Sequence, residues 1–294
     1  MQKSTLSLQP LIFGEVLFDC FSADNRVLGG APFNVAWHLQ AFGDQPRFVS
    51  RIGHDELGEN IISAMQHWNM SIDDIQRDKQ HETGQVEINL VDGIPNYNIK
   101  PDCAYDFIDS ADIKTSETPY LLYHGTLALR NPVSRNSLKN LSENPNNSIF
   151  IDVNLRSPWW EKSDVLNWLK IARWAKLNDE ELDILFGNGK DLATTMRQVQ
   201  EKYQLDMLLV TLGAKGAQCI SKNQEIFTID PKPLDKIVDT VGAGDAFTAV
   251  VLHGLLNDWS IEKSMKQAQT FAAQTIAHQG AIKNDMTFYQ LPWL

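Results

Sequence analysis

Residues 239–256 read Asp-Thr-Val-Gly-Ala-Gly-Asp-Ala-Phe-Thr-Ala-Val-Val-Leu-His-Gly-Leu-Leu, and few local structures accommodate that string. Gly242 and Gly244 let the backbone bend around Ala243 with no side chain in the way. The apolar series Ala249, Val250, Val251, Leu252, Leu255 and Leu256 then makes the following segment a buried helix. Several amide N–H groups converge at the mouth of such a helix, where they and the positive end of its dipole favour an anion such as phosphate. They favour a transferring phosphoryl group more strongly as its charge spreads. Asp245 lies inside this nest. A carboxylate there repels phosphate oxygens, so it needs another reason, and the simplest is acceptance of a proton from an attacking hydroxyl. For a bare Gly-x-Gly-Asp a tight turn with Asp as N-cap is the better reading. The longer string has neither the Lys-Ser/Thr ending of a P-loop nor the third glycine of a dinucleotide fingerprint, which excludes both of those arrangements.

A second glycine hinge lies near the N-terminus. Leu11–Phe18 is an apolar, β-prone run interrupted by Gly14 and Glu15 and closed by Asp19. Gly29-Gly30-Ala31-Pro32 then opens a helix in which Val35, Ala36 and Leu39 recur at helical spacing and Asn34 is polar in the first turn. Gln85, Glu87 and Asn89 alternate with Val86, Ile88 and Leu90, turn at Asp92-Gly93 and return through Tyr97–Ile99. That pattern predicts a hairpin with one apolar face, which needs a cover; an edge of the main sheet fits it nearly as well. Tyr120–Tyr123 is a buried strand ending at His124, a single histidine more in keeping with a structural than a chemical role. Residues 131–147 are polar surface structure. Ser148–Arg156 reads as a strand whose end is dense in hydrogen-bonding groups, where Asp152 and Asn154 could fix the loop and Arg156 reaches furthest. Asn178 caps an acidic helix start, Met207–Thr211 is a buried strand running into Gly213 and Gly216, and 217–229 is a hairpin. Strands and helices alternate to the end, without a repeat or a flexible linker. The expected architecture is one α/β domain over residues 1–294, doubly wound, with a mostly parallel central sheet and helices on both faces.

Composition narrows the partners. A net charge of −11 argues against nucleic acid or an anionic membrane as partner, because both need a positive surface. Cys20, Cys103 and Cys219 are far apart and odd in number, as expected of reduced cysteines in a cytoplasmic protein without a zinc site. No secretory leader pattern and no long apolar span is evident.

Asp239-Thr240-x-Gly-Ala-Gly-Asp-x-Phe resembles the C-terminal signature of the ribokinase-like (PfkB-type) carbohydrate kinases. Gly29-Gly30-x-x-x-Asn34-x-Ala36 and Gly53-x-Asp55-x-x-Gly58 resemble the N-terminal signature of the same family, in the right order and about two hundred residues upstream. The resemblance spans essentially the whole chain. It implies a ribokinase-like fold with a small β lid, formed by about 16–28 and 83–110, that covers a sugar and often serves a homodimer. It implies ATP and Mg²⁺, with K⁺ as a candidate. Residue by residue, it implies that Asp245 is the catalytic base and that the amides of Gly242, Ala243 and Gly244 form the anion hole. Asp19, Gly29, Gly30 and Asn34 would hold sugar hydroxyls, and Arg156 would reach substrate or phosphate. Asn178 and Glu181 fall on an N-x-x-E motif whose Glu orients waters on nucleotide-bound Mg²⁺. Thr211, Gly213, Lys215 and Gly216, with Gly244, would line the nucleotide. Gly280-Ala281 matches a late Gly-Ala near which monovalent cation ligands lie, Asp239 and Val241 being the candidates. Many relatives carry Asn in the last long helix, facing adenine, where this chain has Gln269, a departure that bears on purine preference.

Gly-Gly-Ala-Pro-x-Asn-Val-Ala and Asp152-x-Asn154-x-Arg156-x-x-x-Trp160 look most like fructokinases. Kinases of ribose, 2-keto-3-deoxygluconate and nucleosides are close rivals. A sugar-phosphate kinase would need extra positive charge at the acceptor, and the N-terminal segment offers little beyond Arg26. A sugar-binding regulator on the same fold is a rival of another class, opposed by the intact base, anion hole and N-x-x-E.

Overall fold

The computed structural model describes residues 8–22, 25–91, 94–114, 118–187, 189–232 and 237–294. In chain order they form β1 (Gln9–Phe13), β2 (Leu17–Cys20), β3 (Arg26–Gly29), α1 (Ala31–Ala41), β4 (Arg47–Gly53), α2 (Glu56–His67), β5 (Ile75–Asp78), β6 (Gly84–Val91), β7 (Ile94–Ile99) and β8 (Tyr120–His124). There follow α3 (Pro132–Ser142), β9 (Ser148–Asp152), α4 (Lys162–Leu169), β10 (Trp174–Asn178), α5 (Asp179–Phe186), α6 (Leu192–Tyr203) and β11 (Met207–Thr211). The chain closes with β12 (Ala217–Ser221), β13 (Ile226–Ile229), α7 (Ala243–Leu256) and α8 (Ile261–Ile276).

Nine strands make one sheet in the order β13-β12-β11-β10-β9-β8-β1-β4-β5, with every neighbouring pair parallel except those on either side of the reversed strand β12. Side chains alternate between its faces, as the two-residue period of a strand requires. Ile12, Tyr123, Phe150 and Leu209 pack under α1, α2, α7 and α8, whereas Leu11, Phe13, Leu122, Ile151 and Val210 pack under α3 to α6. This is the expected doubly wound α/β architecture. From β1 the chain winds first toward β4 and β5 and later toward β8 and β9, so the strand order reverses at β1. The crevice outside the carboxyl ends of the strands at such a reversal is where ligands bind in open α/β sheets.

The interruption at Gly14 and Glu15 separates two sheets. β1 belongs to the central sheet, and β2 joins a second, four-stranded sheet in the order β3-β2-β6-β7. The alternation in residues 84–99 is therefore a lid and not a sheet edge: β6 and β7 pair antiparallel, and β6 runs parallel to β2. The lid strands end at Ile99, and from Lys100 to Asp112 the chain forms bends and two 3-10 turns. Asp92 and Gly93 lie outside the described residues. The polar surface stretch expected at 131–147 contains α3, capped by Asn131 and started by Pro132. One further element differs from the sequence reading. The strand at 148–156 stops at Asp152, because Asn154 adopts a left-handed φ of 40° and turns the chain out of the sheet.

The lid rests on Tyr105, which shares a small core with Leu17, Val86 and Ile88. Arg130 fixes this region from the side of the main sheet. Its guanidinium bonds both oxygens of Asp106 at 2.7 Å and lies over the rings of Trp159 and Tyr105. The two side chains are only 7% and 1% exposed. Removing one member strands the other charge without solvent, so Asp106→Ala is expected to lower the unfolding free energy by about 3–5 kcal/mol, measured by urea denaturation.

Candidate active site

The hinge before α7 takes the conformation its glycines allow. Gly242 caps the helix with φ 78°, and a Cβ built on it would lie 2.3 Å from the Cβ of Ala281, so both backbone and space demand glycine. Asp239 ties this hinge to the loop behind it: Oδ1 accepts from the Val241 amide at 3.0 Å and Oδ2 from the Gly280 amide at 2.9 Å. The Ala243 amide makes a long turn bond to the Thr240 carbonyl, 3.4 Å, and the first helical bond runs from Ala246 to Gly242 at 2.8 Å. The Gly244 and Asp245 amides precede it and have no protein partner among the described residues. They are open for an anion at the positive end of a fourteen-residue helix.

The other hinge faces them. Gly30 caps α1 with φ 111°, and a Cβ there would lie 2.7 Å from the Glu15 carbonyl oxygen. This close approach turns Asn34 inward, where its amide donates to Asp245 Oδ2 at 2.8 Å. A methyl on Gly29 would stand 3.7 Å from Asp19 Oδ2 and 3.9 Å from Asn34 Oδ1, so these three groups line one wall. Asn34 Oδ1 has no protein partner among the described residues. Asp19, Gly29, Gly30, Asn34 and Asp245 are thus brought together, and Arg156 is exposed but aims its charge at the same place, stabilising the ionised forms of Asp19 and Asp245.

Burial dominates the electrostatics. It pushes Asp245 up from the usual 3.8 to about 6; the neighbouring Asp152 charge pushes the same way, and the Asn34 hydrogen bond, Lys176 and Arg156 oppose it. Asp19 is pushed up to about 6 by burial, with Arg156 opposing. A third carboxyl escaped the sequence reading. Glu15, 3% exposed, has Oε2 without a partner among the described residues and is pushed up to about 7 by burial. Its one sequence signal is a charged residue inside an apolar run at a strand end.

Beneath Asp245 lies an ion pair. Lys176 Nζ bonds both oxygens of Asp152 at 2.9 and 2.8 Å, and the Thr248 hydroxyl lies 2.8 Å from Asp152 Oδ2 and 2.9 Å from the Gly244 carbonyl. Lys176 and Thr248 were not legible as site residues. A lysine within the apolar strand Trp174–Leu177 is the signal that could have found them.

On the far side, Asn178 and Thr211 are register partners at the ends of β10 and β11. Asn178 caps α5, its Oδ1 accepting from the Glu181 amide at 2.7 Å, while Glu181 Oε2 accepts from the Asn178 amide at 2.9 Å. Glu181 Oε1 accepts from the Leu155 amide at 2.7 Å and so also holds the loop that carries Arg156. Gly213 and Lys215 are exposed on a 3-10 turn, and Gly216 is buried, closing that turn at φ 88°. Gln269 is half-buried on α8. Among the described residues no group of three or more His, Cys, Asp or Glu could hold a metal ion. His124 is buried, bonded through Nδ1 to the Gly125 carbonyl, and held neutral by burial at about 4, the structural role expected of it.

An open α/β sheet in which a helix mouth open to an anion faces a polar wall across one carboxylate suits a kinase of small molecules. The pfkB family carbohydrate kinase profile matches residues 20–287, and the chain belongs to that family. It is 28% identical to a fructokinase of Salmonella typhimurium, over 92% of this chain and 94% of that one. It is 27% identical to an ATP-dependent 6-phosphofructokinase of Thermoanaerobacterium thermosaccharolyticum, over 92% and 89%. Among solved structures, the fructokinase of Vibrio cholerae in its fructose, ADP and calcium bound form superimposes with a TM-score of 0.84, over 96% of this chain and 98% of that one, at 24% identity.

Gly242→Ala forces a methyl into Ala281 and displaces the first turn of α7. We expect kcat in a carbohydrate kinase assay to fall about 10²-fold, the scale of losing one anion-hole donor, with circular dichroism unchanged.

Proposed function

We propose that this chain transfers the γ-phosphoryl group of ATP to a hydroxymethyl group of a free sugar, fructose to fructose 6-phosphate above all. One observation carries the reading: the Asn34–Asp245 hydrogen bond joins residues 211 positions apart, and with them the two glycine hinges, into a single site. Asp245 accepts through Oδ2, which leaves Oδ1 for the proton of an attacking hydroxyl. The Gly244 and Asp245 amides stabilise the charge on the transferring group. Asp19 and Asn34 Oδ1 offer acceptors to sugar hydroxyls, and the Gly29 and Gly30 backbone leaves room for the ring. Mg²⁺, when bound, supplies charge neutralisation at the nucleotide phosphates. Asn178, Thr211, Gly213, Lys215 and Gly216 are assigned to the nucleotide, and Asp239 and Val241 to a monovalent cation, K⁺ being the candidate. The acceptor side holds Glu15, Asp19 and Asp245; Arg130 and Lys176, which act on Glu15 and Asp245, are paired with Asp106 and Asp152, so Arg156 is the cation left to face the three carboxyls, and that balance favours a neutral sugar over a sugar phosphate. The exposed Phe21, Val27 and Tyr97 on the lid suit a homodimer through that sheet.

ADP release by the purified protein with Mg-ATP and fructose, ribose, 2-keto-3-deoxygluconate, adenosine or fructose 6-phosphate tests the reading. Fructose is expected to give the highest kcat/KM; silence across the panel would leave a sugar-binding regulator. Asp245→Asn is expected to lower kcat by roughly two to four decades with sugar affinity little changed. The base works only when ionised, and its carboxyl is held at about 6, so kcat/KM should fall as pH drops through 6. A profile flat down to pH 4.5 would remove Asp245 from that role.

A further inference from the structure

The Asp152–Lys176 pair is more than the sheet requires. The two residues are register partners on adjacent parallel strands, and their side chains are 2% and 8% exposed. Taking two charges out of water is expensive, and an apolar pair of similar volume holds two strands at least as well. Yet here the pair sits directly under the hinge of α7. Lys176 Nζ would be 3.6 Å from a methyl on Gly244, and Asp152 Oδ2 is 2.8 Å from the Thr248 hydroxyl, one turn along α7 from Gly244 and three residues from Asp245. Thr248 also lies 2.9 Å from the Gly244 carbonyl. Its single proton goes to the charged acceptor, Asp152, because hydrogen bonds to ionised groups are the stronger ones.

We propose that Asp152 and Lys176 are positioning residues, a buried latch that grips the first turn of α7 through Thr248 and balances the charge around the carboxylate at its mouth. The inference rests on the reading of Asp245 as the base. Six groups face Asp245 or act on its surroundings: Asn34 from α1, Glu15 from the link after β1, Tyr123 from β8, Asp152 from β9, Arg156 from the loop after it, and Lys176 from β10. Asn34 fixes one oxygen, and Arg156 is exposed on a loop. The latch alone presents two opposite charges whose effects on Asp245 oppose each other, Asp152 disfavouring ionisation and Lys176 favouring it. With both in place the base keeps its charge at neutral pH and the amides keep their aim.

Opposite displacements of the acid limb are the signature. Asp152→Asn leaves an unbalanced cation below the base, so the limb of kcat should move to lower pH. Lys176→Met leaves an unbalanced anion, so it should move to higher pH. Both variants should lose kcat by about tenfold or more, with KM for the sugar within about threefold of wild type. The double variant Asp152→Asn/Lys176→Met has no stranded charge and serves where a single variant does not fold; it should return the limb to near its wild-type position while kcat stays low. Thr248→Val reads the latch without reference to the base and should lose kcat, and Thr248→Ser should restore it. Limbs that stay put or move together, or Thr248→Val at the wild-type rate, would overturn the proposal. Failure of the base reading is separately visible as full turnover in Asp245→Asn.

Discussion

The hydrogen bond from Asn34 to Asp245 is the constraint on which the rest depends. It is short, 2.8 Å, and its two ends belong to the first turns of two helices that begin at glycine hinges. Each hinge is fixed by a close approach that only glycine tolerates, Gly30 against the Glu15 carbonyl and Gly242 against Ala281. Neither helix could present its polar residue at this distance if its cap carried a side chain. The sheet supplies the reversal at β1, the hinges supply the entry angles, and the bond closes the site.

Burial then gives these groups their chemistry. Asp245, Asp19 and Glu15 are all carboxyls held above their ordinary range, because protein has replaced the water that would solvate their charge. Two cations, Lys176 and Arg156, keep Asp245 from rising further. The result is a carboxyl held at about 6 beside amides open to an anion, the pairing that the proposed phosphoryl transfer requires.

Most of the fold was legible because it is written in local periods. Alternation, apolar runs and glycine hinges located most of the central strands, α1, α7 and the N-cap at Asn178, each of which depends on residues within a few positions of one another; β5 was not among them. Asp245 stood out from the glycine hinge itself, and Asn34 from the resemblance of its hinge to the family's N-terminal signature. The lid was ambiguous, since the pairing that defines it, Phe18 with Gln85 on parallel strands, joins distant segments that no local pattern records. Glu15 and Lys176 were missed because each is a charged residue in an apolar strand context. Its meaning lies in partners from other elements: Asp152 for Lys176, and Arg156, Arg130 and Asp245 for Glu15. The break after Asp152 was missed because a left-handed asparagine has no period at all.

Only Gly14, Glu15 and Val16 separate β1, in the middle of the central sheet, from β2, in the middle of the lid. The lid sheet and the central sheet are therefore joined here by one short length of backbone. A tilt of one against the other would turn the chain at that joint, as it would at Gly30 between β3 and α1, and the joint's central side chain is a carboxyl enclosed by the molecule.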